Sequence, residues 1–476
     1  VRLKLLLLII LLSSCKQQFE SDKNQASKNV LLICIDDLRP ELNCFGASYI
    51  KSPNIDALAS KGVAFTNHFV NAPSCGPSRY SLLTGQFGLQ YRKNNNQALF
   101  LRAKAYAENP LSLPPTMPEY FKTNGYTTVS VGKISHHPGG RGGANWDNDS
   151  IIEIPNAWTK YIMPVGDWQT PRGAMHGLAN GQARTPDHRE VMEAFNGVDS
   201  SYPDGLIVEE GLKQLEKLAK NEAPFFLAIG LIKPHLPFGM PKKYLDLYEG
   251  VSIPKINHPE KPKGKTTWHK SGEFMAYNHH GKDPRTDFDY AMKLKKYYAA
   301  CVSYADKHVG DILNKLKETG ADKNTIVVLW GDHGWHLGEH GIWGKHSLFE
   351  ESLKSPLIIY DPSLKTSITK ANTIVETVDI FPTLTELCTL PNPELSNGES
   401  LVLLINAKTR QKKAAVAYNG NAITLRTKDY RFVEHTDGEV ELYNHSIDAS
   451  ETLNVARNNP EKVVELKSLL QELIEE

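Results

Sequence analysis

Asn29-Val30-Leu31-Leu32-Ile33-Cys34-Ile35-Asp36-Asp37 is an unbroken apolar run that ends in two carboxylates. An apolar stretch without alternation suits a strand covered on both faces, the usual situation of a parallel strand. Thr127 to Val131, Phe225 to Ile229, Ile326 to Trp330 and Leu357 to Tyr360 read the same way. Helix patterns lie between them: Pro53 to Lys61 ending at Gly62, Pro118 to Asn124 ending at Gly125, Gly205 to Lys220 behind an Asp204 cap, and Tyr290 to Thr319 closed by Gly320. This alternation predicts an α/β fold around a mainly parallel sheet, with ligands bound outside the carboxyl ends of the strands. Chemistry collects at those ends. The first strand delivers Asp36-Asp37, the second Lys133 and His136, the third Lys233 and His235, and the fourth Asp332-His333.

Asp36, Asp37 and Asp332 offer hard oxygen donors from two strands, a set that suits calcium or magnesium. Each also has an ordinary reading, as a helix cap or a tight turn. A second stretch weighs against that reading: Cys75-Gly76-Pro77-Ser78-Arg79-Tyr80-Ser81-Leu82-Leu83-Thr84-Gly85. Pro77 and Gly85 fit the start and stop of a short helix, which puts Cys75 at the end where an anion is favoured. The run resembles the C-x-P-S-R-x-x-x-L-T-G signature of the type I sulfatases. The resemblance implies their alkaline-phosphatase-like α/β fold and oxidation of Cys75 by a maturase to formylglycine, whose hydrate is the nucleophile. It also places Asp36, Asp37, Asp332, His333 and the modified Cys75 at calcium-ligand positions, His333 standing where many of the family carry Asn.

Hydrolysis of a sulfate monoester needs cations on the sulfuryl oxygens, an acid for the leaving alcohol and a base to release the sulfated intermediate. Lys133, Lys345, His136 and His235 meet that demand. Gly132-Lys133-Ile134-Ser135-His136, Lys233-Pro234-His235-Leu236-Pro237-Phe238 and Gly334-Trp335-His336-Leu337-Gly338-Glu339-His340-Gly341-Ile342-Trp343-Gly344-Lys345 look like the iduronate-2-sulfatase branch of the family. So do Asp379 to Leu384, Arg426 to Arg431 and Glu441 to Tyr443. In the mechanism this implies, Arg79 holds the hydrated aldehyde, Lys133 and Lys345 hold the sulfuryl oxygens, His235 protonates the leaving oxygen and His136 acts as base. The implied substrate is a 2-O-sulfated terminal uronate of a glycosaminoglycan or an algal polysaccharide, with Lys345 and the loop bearing Arg141 as partners for its carboxylate. Departures from the pattern gather in Lys255 to Asp289 and Phe87 to Pro114, both expected to wall the substrate pocket. A phosphate or phosphonate ester hydrolase, and an inactive glycan-binding lipoprotein, are the competing readings.

The 54 basic and 54 acidic side chains cancel, so nothing in the overall charge draws the chain to nucleic acid. Arg2 and Lys4 precede an apolar run, Leu5 to Leu12, too short to span a bilayer and suited to an export signal. Leu12-Ser13-Ser14-Cys15 resembles a bacterial lipoprotein cleavage box, so the expectation is a signal peptide over 1–14, a lipid anchor on Cys15 and a polar tether over 15–28. That predicts a membrane-anchored protein of the periplasm or cell surface. Residues 29–405 are read as the catalytic domain, and 406–476 as a smaller antiparallel sheet with a C-terminal helix. Cys34 and Cys388 read as core thiols, Cys44 and Cys301 could pair, and His279-His280 reads as exposed loop.

Overall fold

The computed structural model describes residues 27–93, 95–110, 113–142, 151–364, 367–393, 396–409 and 412–475. The export signal, Cys15 and most of the tether lie outside the described residues. The apolar runs form the centre of an eight-stranded sheet. Its strands are β1 (Asn29–Ile35), β2 (Val63–Phe65), β3 (Thr127–Gly132), β4 (Lys160–Ile162), β5 (Phe225–Leu231), β6 (Thr325–Gly331), β7 (Leu357–Tyr360) and β8 (Lys370–Ala371), in the spatial order β8-β2-β7-β6-β1-β5-β3-β4. β1 is central and pairs in parallel with β5 and β6.

Both faces of β1 are covered, as its unbroken apolar run requires. Leu31, Ile33 and Ile35 pack on one side with Tyr298, Ala299 and Val302 of the long helix Phe288–Glu318. Val30, Leu32 and Cys34 pack on the other with Tyr80, Leu82 and Leu83 of the helix Cys75–Thr84. Burying a core Leu or Ile is worth about 1.5–3 kcal/mol, so this two-sided contact fixes where both helices sit.

One strand direction differs from expectation. β7 runs antiparallel to β6 and β2. The connection from β6 stays at the carboxyl edge of the sheet, where Gly331 N donates to Pro356 O at 2.9 Å, so the chain can re-enter only by running backwards. Asp204 is likewise not a cap. It lies inside the helix Pro203–Leu218, and its Oδ1 accepts from Ile232 N at 2.7 Å and Lys233 N at 3.2 Å, holding the turn after β5. Cys44 and Cys301 are free thiols, and Cys34 and Cys388 are buried. His279 is buried between Tyr290 OH and Phe274 O, while His280 is exposed and pairs with Glu190.

A separate antiparallel sheet follows, made of β9 (Ala414–Asn419), β10 (Ala422–Thr427), β11 (Tyr430–His435) and β12 (Val440–Asn444), with the helix Pro460–Glu475 on it. Ala415, Ala417 and Val433 pack against Phe69, Val70, Leu348 and Leu353. Glu350, the first residue of the short helix Glu350–Leu353, pairs with Arg426 at 3.0 Å and Arg431 at 2.6 Å of the small sheet. The small sheet therefore buttresses the segment just after Lys345.

Candidate active site

Cys75 is the first residue of its helix, and all ten residues of that helix are buried. Ser74 makes no side-chain cap. Asn96 supplies one from outside, its Oδ1 accepting from Ser74 Oγ at 3.0 Å and Gly76 N at 2.9 Å. A Cβ at position 76 would fall 2.3 Å from Asn96 Cα, so this approach requires glycine.

Around Cys75 Sγ stand Lys345 Nζ at 3.2 Å, His333 Nε2 at 3.3 Å and Lys133 Nζ at 3.8 Å. Lys345 also donates to Asp37 Oδ1 at 2.8 Å, and Lys133 to Asp36 Oδ2. Burial, reinforced by Asp36, pushes the Cys75 thiol well up, although both lysines oppose it. An unmodified thiol is therefore held neutral, the poor nucleophilic form.

Arg79 ties three strand ends together. Its Nε donates to Asp332 Oδ2 at 3.0 Å, Nη2 to Asp36 Oδ1 at 3.2 Å, and Nη1 to the carbonyls of Lys133 at 2.6 Å and Ile134 at 3.0 Å. None of these bonds goes to Cys75 Sγ. In this geometry Arg79 positions the strand ends around Cys75, its donors filled by two acids and two backbone carbonyls.

Four of the five expected metal ligands converge. One ligand atom each from Asp36, Asp37, Cys75 and His333 lies within 4.8 Å of the others. Asp332 stands behind them, its Oδ1 accepting from Asp37 N at 2.9 Å and its Oδ2 taken by Arg79. The donor set fits a cation. Asp37 Oδ2 is buried with no hydrogen-bond partner, and burial, with Asp36 and Asp332 beside it, raises the Asp37 carboxyl well above the usual range despite Lys345. Burial and Asp36 push Asp332 up to about 7. At Asp36 burial is outweighed by Lys133, His235 and Arg79, which hold its carboxyl well below that range. Repulsion among three dry carboxylates is the condition a divalent ion relieves. His333 joins in as a neutral ring. Burial and Lys345 lower its pKa, and Nδ1–H donates to Gly334 O at 2.8 Å, leaving the Nε2 lone pair facing Cys75 and Asp37.

His235 is buried, its Nδ1 donating to Leu236 O at 2.7 Å and its Nε2 3.8 Å from Glu273 Oε1. Burial, Lys133 and Lys345 drive its pKa well down, opposed by Asp36 and Glu273. His136 is half-buried beside His137, and its buried Nδ1 has no partner; burial and Lys133 lower its pKa too. Lys233 stands apart, its Nζ donating to His235 O at 3.2 Å and Pro237 O at 2.6 Å, so it shapes the loop that presents His235.

The two divergent segments do reach the site. Lys255 to Asp289 contributes Glu273, which lies 3.9 Å from Lys345 Nζ and 3.4 Å from His346 Nε2, and Phe87 to Pro114 contributes Asn96. His176 lies beside His235, the rings tilted by 49° with centroids 5.6 Å apart, and burial followed by the nearby Arg184 lowers its pKa. Arg184 is exposed and donates to Tyr277 OH at 3.1 Å. Glu273, His176, Arg184 and Asn96 carry no local pattern that would have marked them in the sequence.

The family model described as Sulfatase matches residues 28–390, and one described as N-sulphoglucosamine sulphohydrolase, C-terminal, matches 338–476. A sulfatase of Formosa agariphila is 32% identical, the match covering 98% of this chain and 91% of the relative. Human iduronate 2-sulfatase is 33% identical over 77% of this chain and 70% of its own. The crystal structure of a phosphonate monoester hydrolase of Agrobacterium radiobacter shares the fold with a TM-score of 0.72, at 20% identity, covering 94% of this chain and 95% of that one.

Proposed function

The chain belongs to the sulfatase family and is a sulfuric ester hydrolase, and from that premise we propose that it removes sulfate from sulfated glycans with Cys75 converted to formylglycine and calcium held by Asp36, Asp37, His333 and the modified Cys75, with Asp332 in support. The observation that carries this reading is the placement of Cys75 at a helix N-terminus, with two lysines and His333 within 4 Å of Sγ and ligand atoms of Asp36 and Asp37 within 4.8 Å. The hydrated aldehyde would supply one hydroxyl to attack sulfur and a second through which sulfate leaves; calcium would supply charge neutralisation. Lys133 and Lys345 hold the sulfuryl oxygens, where a preorganised donor is worth about 2.7–4 kcal/mol of barrier. His235 gives its proton to the leaving sugar oxygen. Its depressed pKa favours the neutral ring at rest, so the incoming sulfate charge assists protonation. His136, neutral and with an unpartnered nitrogen, takes the proton that releases sulfate.

For the substrate we favour a 2-O-sulfated terminal uronate of a glycosaminoglycan or algal polysaccharide, on the likeness to human iduronate 2-sulfatase. Lys345 is withdrawn as the carboxylate partner because, 3.2 Å from Cys75 Sγ, it is assigned to the sulfuryl oxygens. Arg184 is the better candidate, an exposed guanidinium close enough to His176 to depress its pKa. Matured enzyme should release sulfate from such sugars far faster than phosphate from matched phosphate or phosphonate esters. Preference for the phosphorus esters would refute the reading, and activity confined to sugars without a carboxylate would refute its uronate part alone. Lipidation at Cys15 and anchoring in the periplasm or at the cell surface, with a maturase acting on the chain, complete the proposal. Loss of membrane association in Cys15→Ala tests the anchor.

A further inference from the structure

Outside the catalytic cage, three segments distant in sequence bring two imidazoles and a carboxylate together. His258 comes from the divergent segment, His340 from the turn of the ribbon His336–Leu337/Trp343–Gly344, and Glu351 from the short helix Glu350–Leu353. His258 Nε2 is hydrogen-bonded to Glu351 Oε1 at 2.8 Å, a proton standing where a metal would displace it and widen the pair, and His340 Nε2 lies 3.6 Å from Glu351 Oε2. One ligand atom from each residue falls within 4.8 Å of the other two.

The His340–Glu351 distance is too long for a hydrogen bond, and both atoms are buried without a partner, His340 being 1% exposed. Leaving a buried polar atom unpaired costs about 1–3 kcal/mol, so two facing each other need a common partner. A spacing of 3.6 Å is close to the edge of a tetrahedron with bonds of about 2.0–2.1 Å to a central ion, roughly 3.3 Å. The ring of His340 is firmly aimed. It stacks on Phe349 at 4.1 Å and 17°, its backbone N–H donates to His258 O at 2.7 Å, and Trp268 Nε1 donates to its carbonyl at 3.1 Å. Its φ of 55° is left-handed, a conformation that a non-glycine residue holds only when its surroundings impose it.

We propose that His258, His340 and Glu351 form a second metal site, which takes one zinc ion with water in the fourth position. Two imidazole nitrogens and one carboxylate oxygen are a borderline donor set, unlike the oxygen-rich catalytic cage. The site clamps the divergent segment that carries Glu273 to the ribbon that leads into Lys345, so its role is structural and independent of the sulfatase reaction.

The test uses the full-length protein, stripped with chelator and resupplied with saturating calcium, then titrated with zinc against a chromophoric competitor. One tight equivalent is expected in wild type and in Asp37→Asn, which disables the catalytic cage. Affinity should fall by at least on the order of 100-fold in His258→Ala and in Glu351→Gln, since losing even an outer-shell partner costs about 10–100-fold. Glu351→Gln keeps the shape of the side chain, and circular dichroism checks its fold. Zinc uptake abolished by Asp37→Asn, unchanged in Glu351→Gln, or absent from wild type would overturn the proposal.

Discussion

Replacing Lys345 by methionine keeps the length of the side chain and removes its charge. In the intact site Nζ donates to Asp37 Oδ1 at 2.8 Å and lies 3.2 Å from Cys75 Sγ, with both residues buried. Asp37 Oδ2 has no hydrogen-bond partner, and Asp36 and Asp332 repel the carboxylate, so the variant leaves a buried acid without its ammonium. Breaking such a pair costs about 3–5 kcal/mol. The loss should shrink when calcium is added, and again in the double variant Lys345→Met/Asp37→Asn, where no buried charge is orphaned. Turnover should behave differently. It should fall roughly 10²- to 10³-fold in matured Lys345→Met, because a donor to the developing sulfuryl charge is gone. It should not recover in the double variant. Denaturant unfolding with and without calcium, alongside steady-state kinetics on matured protein, separates the two effects. Near-normal kcat in Lys345→Met would refute the assignment of Lys345 to the sulfuryl oxygens, and equal stability with and without calcium would refute the cation at Asp37.

His235→Ala should lose most activity on sugar sulfates with poor leaving groups and least on activated aryl sulfates, and equal losses on both would exclude it as the acid. Because Glu273 raises the His235 pKa while burial, Lys133 and Lys345 lower it, Glu273→Gln should carry the alkaline fall in kcat/KM to lower pH. An unmoved limb would remove Glu273 from the charge balance of the site. His136→Ala should accumulate sulfated enzyme visible by intact mass, and its absence under slowed turnover would refute the base assignment.

How much of this was legible in the sequence follows from the range of the interactions involved. β1 and the Cys75 helix could be read because an unbroken apolar run, Pro77 and Gly85 are local signals. The convergence of Asp36, Lys133, His235 and Asp332 followed from the rule that strand ends share an edge. The direction of β7 did not follow, since it depends on which edge the Asp332–Pro356 connection occupies, not on Leu357–Tyr360 itself. The partners of Arg79 and Lys233 could not be read either, because nothing local says whether a cation meets substrate or carbonyls. Glu273 and Asn96 were invisible as individuals. They arrive from segments without periodicity, and only the contacts made after folding give them meaning.

The central claim is that the nucleophile is made from Cys75. Protein produced with and without a formylglycine-generating maturase should be compared by peptide mass across Cys75 and by sulfate release on the same preparations. The account predicts that activity rises in proportion to the fraction of Cys75 converted to the aldehyde and vanishes in Cys75→Ala. Full activity in protein whose Cys75 is entirely an unmodified thiol would contradict it.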